Sequence, residues 1–148
     1  MASGYTNRGK FLILQGVFRN TGLPTNYFVA LATSATTPLS THTTFSSLTE
    51  IAAGNGYTSG GISLTKNSTD FDVLTEAATT LIQIKDVVWT ATTANLPASG
   101  NGARWAVLLD DNVTVGSRQI LAWWDLVSDR TVSVGQTLTL QNLELDLT

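Results

Sequence analysis

The stretch ILAWWDL, residues 120–126, constrains the fold of this chain more than any other feature. Read as a β-strand, it carries apolar side chains on both faces, because successive side chains of a strand alternate. One face holds Ile120, Ala122, Trp124 and Leu126, and the other holds Leu121 and Trp123. A strand at the surface of a small domain is apolar on one face only. This strand therefore needs two covers: one face meets the core of its own chain, and the other meets a helix or a neighbouring subunit.

The length, charge and cysteine content of the chain limit the classes of protein to which it can belong. The 148 residues suit one domain, and they are long enough to bury a core without cross-links. Charged residues make up 13%, against about 25% in an average domain. The absence of cysteine excludes disulfide frameworks and thiolate chemistry. The net charge of −3 disfavours nucleic acid as a partner, and no apolar run reaches the roughly 18 residues that span a membrane.

The N-terminal region predicts one helix. Asn7 is the expected cap and GKFLILQGVFR, residues 9–19, the helix, with Gly22 beyond it as a stop. Its apolar stripe consists of Phe11, Leu14 and Phe18, widened by Ile13 and Val17. A buried strand is the alternative for FLILQGVF. Residues 1–8 are expected to form a flexible arm that orders only on a partner. The first residues also lack the layout of a signal peptide.

The rest of the chain, residues 9–148, is expected to form a single β-rich domain. TNYFVALATSA predicts a strand with Tyr27 and Val29 on one face and Phe28 on the other, and residues 36–48 predict a loop. ARWAVLLDD and ILAWWDL predict a long hairpin. The short strands follow one another at roughly 8–12-residue spacing, which indicates a mainly β protein. The expected architecture is a β-sandwich or β-barrel, of jelly-roll or tulip-like type, with one N-terminal helix.

The C-terminal stretch predicts an interruption. Its apolar residues occupy even positions up to Leu140 and odd positions from Leu143 onward. One continuous strand cannot keep both sets on the same face, because a one-residue shift moves every side chain to the other side. The sequence therefore predicts a β-bulge or a turn at Gln141–Asn142.

Candidate residues for catalysis or metal binding are few. The single histidine, His42, has no carboxylate near it in sequence, as expected for a solvated loop residue. Asp70 with Asp72, and Asp110 with Asp111, offer oxygen ligands but lack a full calcium spacing. Such residues are also common in turns for backbone reasons. The sequence predicts no catalytic residue, no metal site and no cofactor.

The aromatic residues offer a choice between core, interface and ligand. Trp124 and Trp105 are expected in the core, whereas Trp123 suits intrachain cover, a subunit interface or a ligand site. Aromatic rings such as Trp89 and Tyr57 would also serve a glycan-binding surface if they were exposed. The candidate interface residues are Tyr5, Phe11, Trp89, Leu121 and Trp123. The residues expected to determine the fold are Gly54, Gly56, Tyr57, Trp105, Trp124 and Asp125.

In order along the chain, an apolar helix is followed by YFVALAT, TEIAAGNGY, VVWTATTANLP, ARWAVLLDD, ILAWWDL and VSVGQTLTLQ. This order of segments resembles a family of small structural proteins from tailed bacteriophages. The resemblance extends from about residue 9 to 141 and is weakest over residues 65–80. At Trp105 many members of the family carry tyrosine. The matching positions are Tyr27, Ala30, Leu31, Thr49, Glu50, Gly54, Gly56, Tyr57, Trp89, Ala103, Arg104, Trp105, Trp124, Asp125, Gly135, Thr137 and Leu138.

This resemblance implies a virion component made in the host cytoplasm. Members of the family are capsid decoration (cement) proteins, head fibres or minor tail proteins. Decoration proteins sit as homotrimers on the outer surface of the capsid, where they bind the major capsid protein and bridge neighbouring capsomers. The expected partners are therefore other copies of this chain and the major capsid protein, with no nucleic acid and no membrane. A tail or fibre protein that binds a receptor, and a head–tail connector, are the alternatives.

Overall fold

A computed structural model describes residues 1–147 and gives a mainly β fold. The described chain contains one α-helix, α1 (Asn7–Arg19), near its N-terminus and three antiparallel sheets, an arrangement consistent with a single-domain β-sandwich. Thr148, the last residue of the expected domain, lies outside the described residues. The strands are β1 (Ser3–Tyr5), β2 (Asn26–Ala32), β3 (Ile62–Thr65), β4 (Val73–Thr75), β5 (Thr80–Ile84), β6 (Val87–Thr90), β7 (Ala103–Leu109), β8 (Ile120–Arg130), β9 (Thr137–Leu140) and β10 (Leu143–Leu147).

The largest sheet has five strands in the order β1-β8-β7-β2-β3. The predicted hairpin forms its centre, because β7 and β8 pair in antiparallel register with Val107 opposite Trp123. A second sheet has the order β10-β5-β4, and β6 pairs with β9 in a third. Because β8 lies between β1 and β7, its backbone is hydrogen-bonded on both sides.

Both faces of the five-stranded sheet are covered by the chain itself. On one face lies a first core cluster, in which Trp124 and Leu31 from the sheet pack with Leu12 of α1 and Ile84 of β5. The predicted alternation in β2 is confirmed, since Val29 faces this first cluster whereas its neighbours face away. The two covers that the ILAWWDL strand requires are therefore both present within one chain.

The cover on the opposite face comes from the segment predicted as a polar loop. Phe45 and Leu48, 3% and 7% exposed, lie beside Val107 and Trp105 in a second core cluster. Phe45 begins a short 3₁₀ helix, Phe45–Ser47. The expectation that a helix covers this face was wrong, because α1 packs in the first cluster and residues 36–48 include the cover of the second. A contact of this face with a neighbouring subunit stays a prediction.

Leu121 lies on the face opposite to the predicted one. It is grouped with Ala122 and Trp124 in the first cluster, because the register between β7 and β8 shifts at this point. Leu108 pairs with Ala122 but Leu109 pairs with Ile120, which leaves Leu121 as an extra residue. Such a bulge breaks the simple alternation of side chains.

Helix α1 begins earlier than predicted. Thr6, not Asn7, is the N-cap, and its hydroxyl accepts a hydrogen bond from the Gly9 N–H at 2.8 Å. Asn20 ends the helix in the left-handed conformation, with φ of 50°, and donates its N–H to the Gly16 carbonyl. The residues expected to form a flexible arm are structured here, since Ser3–Tyr5 pairs with β8 and places Gly4 opposite Trp123.

The interruption predicted at Gln141–Asn142 is confirmed. Strand β9 ends at Leu140 and pairs with β6, whereas β10 begins at Leu143 and pairs with β5. Asn142 adopts a positive φ of 54°, a conformation that asparagine tolerates better than most residues. The turn lets Leu140 and Leu143 both enter the first core cluster, although their positions differ in parity.

The glycine-rich segment TEIAAGNGY forms a tight turn that anchors a buried tyrosine. Gly56 has a φ of 105°, and a Cβ atom there would lie 1.9 Å from the carbonyl oxygen of Thr90. Tyr57 is 2% exposed; its hydroxyl accepts the Leu31 N–H at 3.0 Å and donates to Glu50 at 2.8 Å. Burial, and then the nearby Glu50 carboxylate, raise the pKa of Tyr57.

Trp105, Trp124 and Asp125 occupy structural positions. Trp124 is 1% exposed and donates its indole N–H to the Glu144 carbonyl at 2.8 Å, which ties β8 to β10. Trp105 is 7% exposed. Asp125 forms a two-pronged salt bridge with Arg104, at 2.7 and 3.0 Å, and this hydrogen bonding lowers the pKa of its carboxyl group. The prediction that both tryptophans belong to the core is confirmed.

Substituting Gly9 tests how α1 is held against the sheet. A Cβ atom at Gly9 would lie 2.0 Å from the Leu121 carbonyl oxygen, a backbone atom that cannot move alone. We expect Gly9→Ala to lower the free energy of unfolding by about 1–3 kcal/mol, although alanine favours helices. Denaturant unfolding measures this change.

Gly16→Ala is the matched control within the same helix. Its Cβ would meet Leu23 Cδ2 at 2.3 Å, the end of a side chain that is 46% exposed and free to rotate. We expect a change between neutral and a gain of about 1 kcal/mol. Equal losses for the two variants would contradict the close docking of Gly9.

Candidate functional site

The outer face of α1 is the clearest candidate for a binding surface. Four large apolar side chains point away from the domain, and we call them the helix face: Phe11, Leu14, Val17 and Phe18, which are 49%, 58%, 72% and 78% exposed. Four of the five residues of the predicted apolar stripe thus face outward. The buried helix residues are instead Gly9, Leu12 and Gly16.

Close approach of the backbone explains why the stripe faces outward. At Gly9 the helix lies so near β8 that a side chain does not fit, and Leu12 is its one large buried anchor. A helix that meets the sheet at a glycine offers its narrow side to the sheet. The broad apolar side is then left on the outside, where a monomer gains nothing from it.

The helix face is comparable in size to the largest apolar patch on a typical monomer, which is often functional. A fully exposed aromatic side chain presents roughly 150–250 Å², so the four side chains together expose on the order of 400 Å². Monomeric proteins rarely expose contiguous apolar patches larger than a few hundred Å² unless these bind something. The face is therefore a candidate binding surface, smaller than the roughly 800 Å² that one partner buries in a standard interface.

The charged residues of helix α1 itself are all cations. Helix α1 carries Arg8, Lys10 and Arg19 and no carboxylate. Arg8 stacks over the Phe11 ring with its guanidinium carbon 5.0 Å from the ring centroid, and it hydrogen-bonds to Gln119. The ion pairs within residues 1–147 are Lys85–Asp70 and Arg104–Asp125, so the three helix cations lie outside them.

A groove runs beside the helix face, between α1 and the β10-β5-β4 sheet, and we call it the α1 groove. One part, of about 510 Å³, is bounded by Lys10, Ile13 and Leu14 of the helix and by β10. The adjoining part, of about 320 Å³, is lined almost entirely by apolar side chains, among them Tyr27 and Phe71, which pack edge to face at 5.7 Å. Residues that line both parts are Tyr5, Ile13 and Leu145.

Asp70 holds the loop that supplies Phe71 to the groove. Its carboxylate accepts the Thr65 N–H at 2.7 Å and forms a salt bridge with Lys85 on the other side of the loop. These hydrogen bonds, first from Lys85 and then from Thr65, lower the pKa of the Asp70 carboxyl group. Asp70 is thus a structural residue of the groove.

The predicted interface residues divide into three groups. Phe11 lies on the helix face, and Tyr5 is half-buried in the α1 groove. Trp89 and Leu121 are only 3% and 5% exposed, so their assignment to an interface was wrong. Trp123 is partly buried and packs edge to face on Trp105, with ring centroids 5.7 Å apart.

Glycan stacking on Trp89 and Tyr57 is ruled out by the same burial. Both rings lie inside the first core cluster, 6.1 Å apart, and neither offers a face to a sugar. Sequence patterns do not distinguish a buried aromatic ring from an exposed one in a short strand. In contrast, the sequence showed the helix face as an apolar stripe, although it did not set the direction in which the stripe points.

The acidic residues considered as metal ligands serve turns. Asp110 accepts the Gln119 N–H at 2.8 Å, and Asp111 accepts the Thr25 N–H at 2.7 Å. His42 accepts the Leu39 N–H through Nδ1 at 3.2 Å within its own loop. Within residues 1–147, no three histidine or acidic side chains lie close enough together to hold a metal ion.

Comparisons with known proteins identify no relative of this chain. No family model matches the sequence, and no curated protein or solved structure is significantly similar to it. In the part of the chain that the structure describes, no helix is long and apolar enough to cross a membrane. Any functional conclusion therefore rests on the surfaces described above and on the order of sequence motifs.

Removing the Trp123 side chain tests its role as intrachain cover. Trp123 contacts Trp105, and a Cβ atom at Gly4 would lie 3.1 Å from its ring. We expect Trp123→Ala to lower the free energy of unfolding by about 2 kcal/mol, less than for a fully buried tryptophan. Phe18→Ala is the control, since it removes a ring that is 78% exposed and should leave the stability of the monomer unchanged. An unchanged stability for Trp123→Ala would reassign this ring to an intermolecular contact.

The pH dependence of stability tests the Asp70 contacts. Because the folded pKa lies below the unfolded value of about 3.9, Asp70 stabilises the fold above that pH. This contribution is lost as the pH falls through the folded pKa. We expect Asp70→Asn to lower stability at pH 6 and to reduce the loss of stability between pH 4 and 2, measured by urea unfolding. Asp72→Asn, at an exposed position, is the control. A pH profile equal to that of the unsubstituted protein would contradict this role.

Proposed function

We propose that this protein is a virion structural protein of a tailed bacteriophage, a capsid decoration (cement) protein. In this role it binds the outer surface of the major capsid protein shell as a homotrimer and stabilises the shell. The order of the sequence motifs supports the family, and the helix face supports a function in assembly.

The observation that carries the proposal is the exposed helix face, which lies on a domain whose own residues already cover its core. Both faces of the main sheet are covered within the chain, so the helix face is not needed to complete the fold. Its four side chains are nevertheless about half exposed or more. Exposed apolar surface of this extent is costly for solubility and is retained where it makes a contact.

The proposed mechanism is binding alone. Burying about 400 Å² of apolar surface contributes on the order of 10 kcal/mol, at roughly 25 cal/mol per Å². Association costs about 4–15 kcal/mol in lost translational and rotational freedom. The free energy gained from one such contact is therefore nearly cancelled by this cost. Trimers that present three copies of each surface gain from multivalent attachment. Shell stabilisation then comes from many weak contacts acting together.

The copy number in purified particles tests this proposal. We expect a ratio of this chain to the major capsid protein near one to one, measured by quantitative mass spectrometry of intact virions. The particle's portal protein, present in a fixed small number, is the internal standard. A handful of copies per particle would reject the decoration role and place the protein in the tail or connector.

A further inference from the structure

We propose that Asn101 is a site of spontaneous covalent modification, at which the side-chain amide becomes a carboxylate while the protein is folded. Asparagine followed by glycine is the sequence most prone to this reaction, and the chain contains two such pairs, Asn55–Gly56 and Asn101–Gly102. Each pair also follows a glycine, so the same three residues occur twice. The fold places them in different surroundings, which makes Asn55 an internal control for Asn101.

The reaction requires only the chain and water. The backbone nitrogen of the following residue loses its proton and attacks Cγ of the asparagine side chain. A new C–N bond forms, and the amide nitrogen leaves as ammonia. Water then opens the resulting cyclic imide at either carbonyl, which gives aspartate or isoaspartate. Glycine in the following position favours the attack, because it has no Cβ atom to shield the nitrogen and adopts backbone angles that other residues avoid.

The backbone around Asn55 is held away from this reaction. Asn55 lies in the tight turn Gly54–Tyr57, which is closed by hydrogen bonds of 2.8 and 3.1 Å between the backbone groups of its two end residues. The φ of Asn55 is 54°, in the left-handed region, and its carbonyl accepts the Thr92 N–H at 3.1 Å. The peptide bond between Asn55 and Gly56 is therefore fixed from both sides.

The side chain of Asn55 is held as well. Its Nδ2 group donates to the Asn95 carbonyl at 2.9 Å, and its Oδ1 atom accepts the Thr93 hydroxyl at 2.7 Å. Both hydrogen bonds break when Cγ turns toward the nitrogen of Gly56. Gly56 is itself packed against Thr90, so the nitrogen cannot move to meet the side chain.

Asn101 lies in open surroundings. It is exposed and occupies a bend that precedes β7. Among residues 1–147, none of the side-chain hydrogen bonds of the kind that hold Asn55 involves Asn101. Gly100 precedes it with a φ of 74°, and a Cβ atom at Gly100 would meet no other atom within 4 Å. The asparagine is therefore free to rotate toward the residue that follows it.

Gly102 presents the attacking nitrogen from an anchored position. A Cβ atom at Gly102 would lie 2.7 Å from the carbonyl oxygen of Arg130, so the packing of β7 against β8 requires glycine there. The same glycine leaves its nitrogen unshielded toward Asn101. The modification makes the formal net charge of −3 one unit more negative, and the isoaspartate product also lengthens the backbone before β7.

Peptide mapping by mass spectrometry of the purified full chain, incubated in mildly alkaline buffer, tests this proposal. In the folded protein we expect conversion at Asn101 to be about tenfold faster than at Asn55, because two hydrogen bonds restrain Asn55 alone. In denaturant the two rates should become similar, since the local sequences match. A rate at Asn101 that does not exceed the rate at Asn55 in the folded protein would overturn the proposal. So would an Asn101 that stays intact while the unfolded chain reacts.

Two variants connect the rates to the contacts. Thr93→Val removes the hydroxyl that holds the Asn55 side chain and keeps a similar shape, so we expect conversion at Asn55 to rise severalfold and conversion at Asn101 to stay the same. Asn101→Gln closes the larger imide ring far more slowly, so the acidic form of the folded protein should disappear, with circular dichroism confirming an unchanged fold. An unchanged rate at Asn55 in Thr93→Val would reject the protection by hydrogen bonding. An acidic form that persists in folded Asn101→Gln would reject Asn101 as the site.

Discussion

The structure depends on covering strand β8 on both of its apolar faces. Because β8 lies inside the main sheet, each face needs its own set of side chains, and these come from distant parts of the sequence. Leu12 and Ile84 contribute to one cover, and Phe45 and Leu48 contribute to the other. The polar-looking loop around Phe45 is therefore as necessary to the core as the strands are. A chain that completes both covers alone has no need of a partner to fold.

Completing the core within the chain gives the helix its unusual orientation. The space over the first cluster is already filled by strands β5, β6, β9 and β10, so α1 needs to contribute little more than Leu12. Its contact with β8 is a backbone approach at Gly9, which is closer than any side chain would allow. The wide apolar stripe is therefore not needed for folding. The packing of the sheets accounts for the stability of the domain, and we assign the helix a role in assembly.

Local sequence patterns correctly predicted the features of the fold that local interactions determine. The alternation in β2, the β7–β8 hairpin and the turn at Gln141–Asn142 follow from side-chain parity and turn chemistry, and all three are present. The errors arose where a distant contact decides. The bulge at Leu121 depends on pairing with β7, and the direction of the helix stripe, which the sequence did not set, depends on the close fit of Gly9 against β8. An amphipathic pattern shows that a helix has an apolar side, but not whether that side meets its own domain or another.

The cations of α1 make an exposed apolar face compatible with a specific function. An uncharged helix with Leu14 and Phe18 outward would pair with any similar surface, including a second α1. Arg8, Lys10 and Arg19 oppose that pairing by repulsion, and they favour surfaces that combine carboxylates with apolar grooves. The same charges that disfavour pairing between two copies of α1 therefore bias the choice of partner toward acidic surfaces.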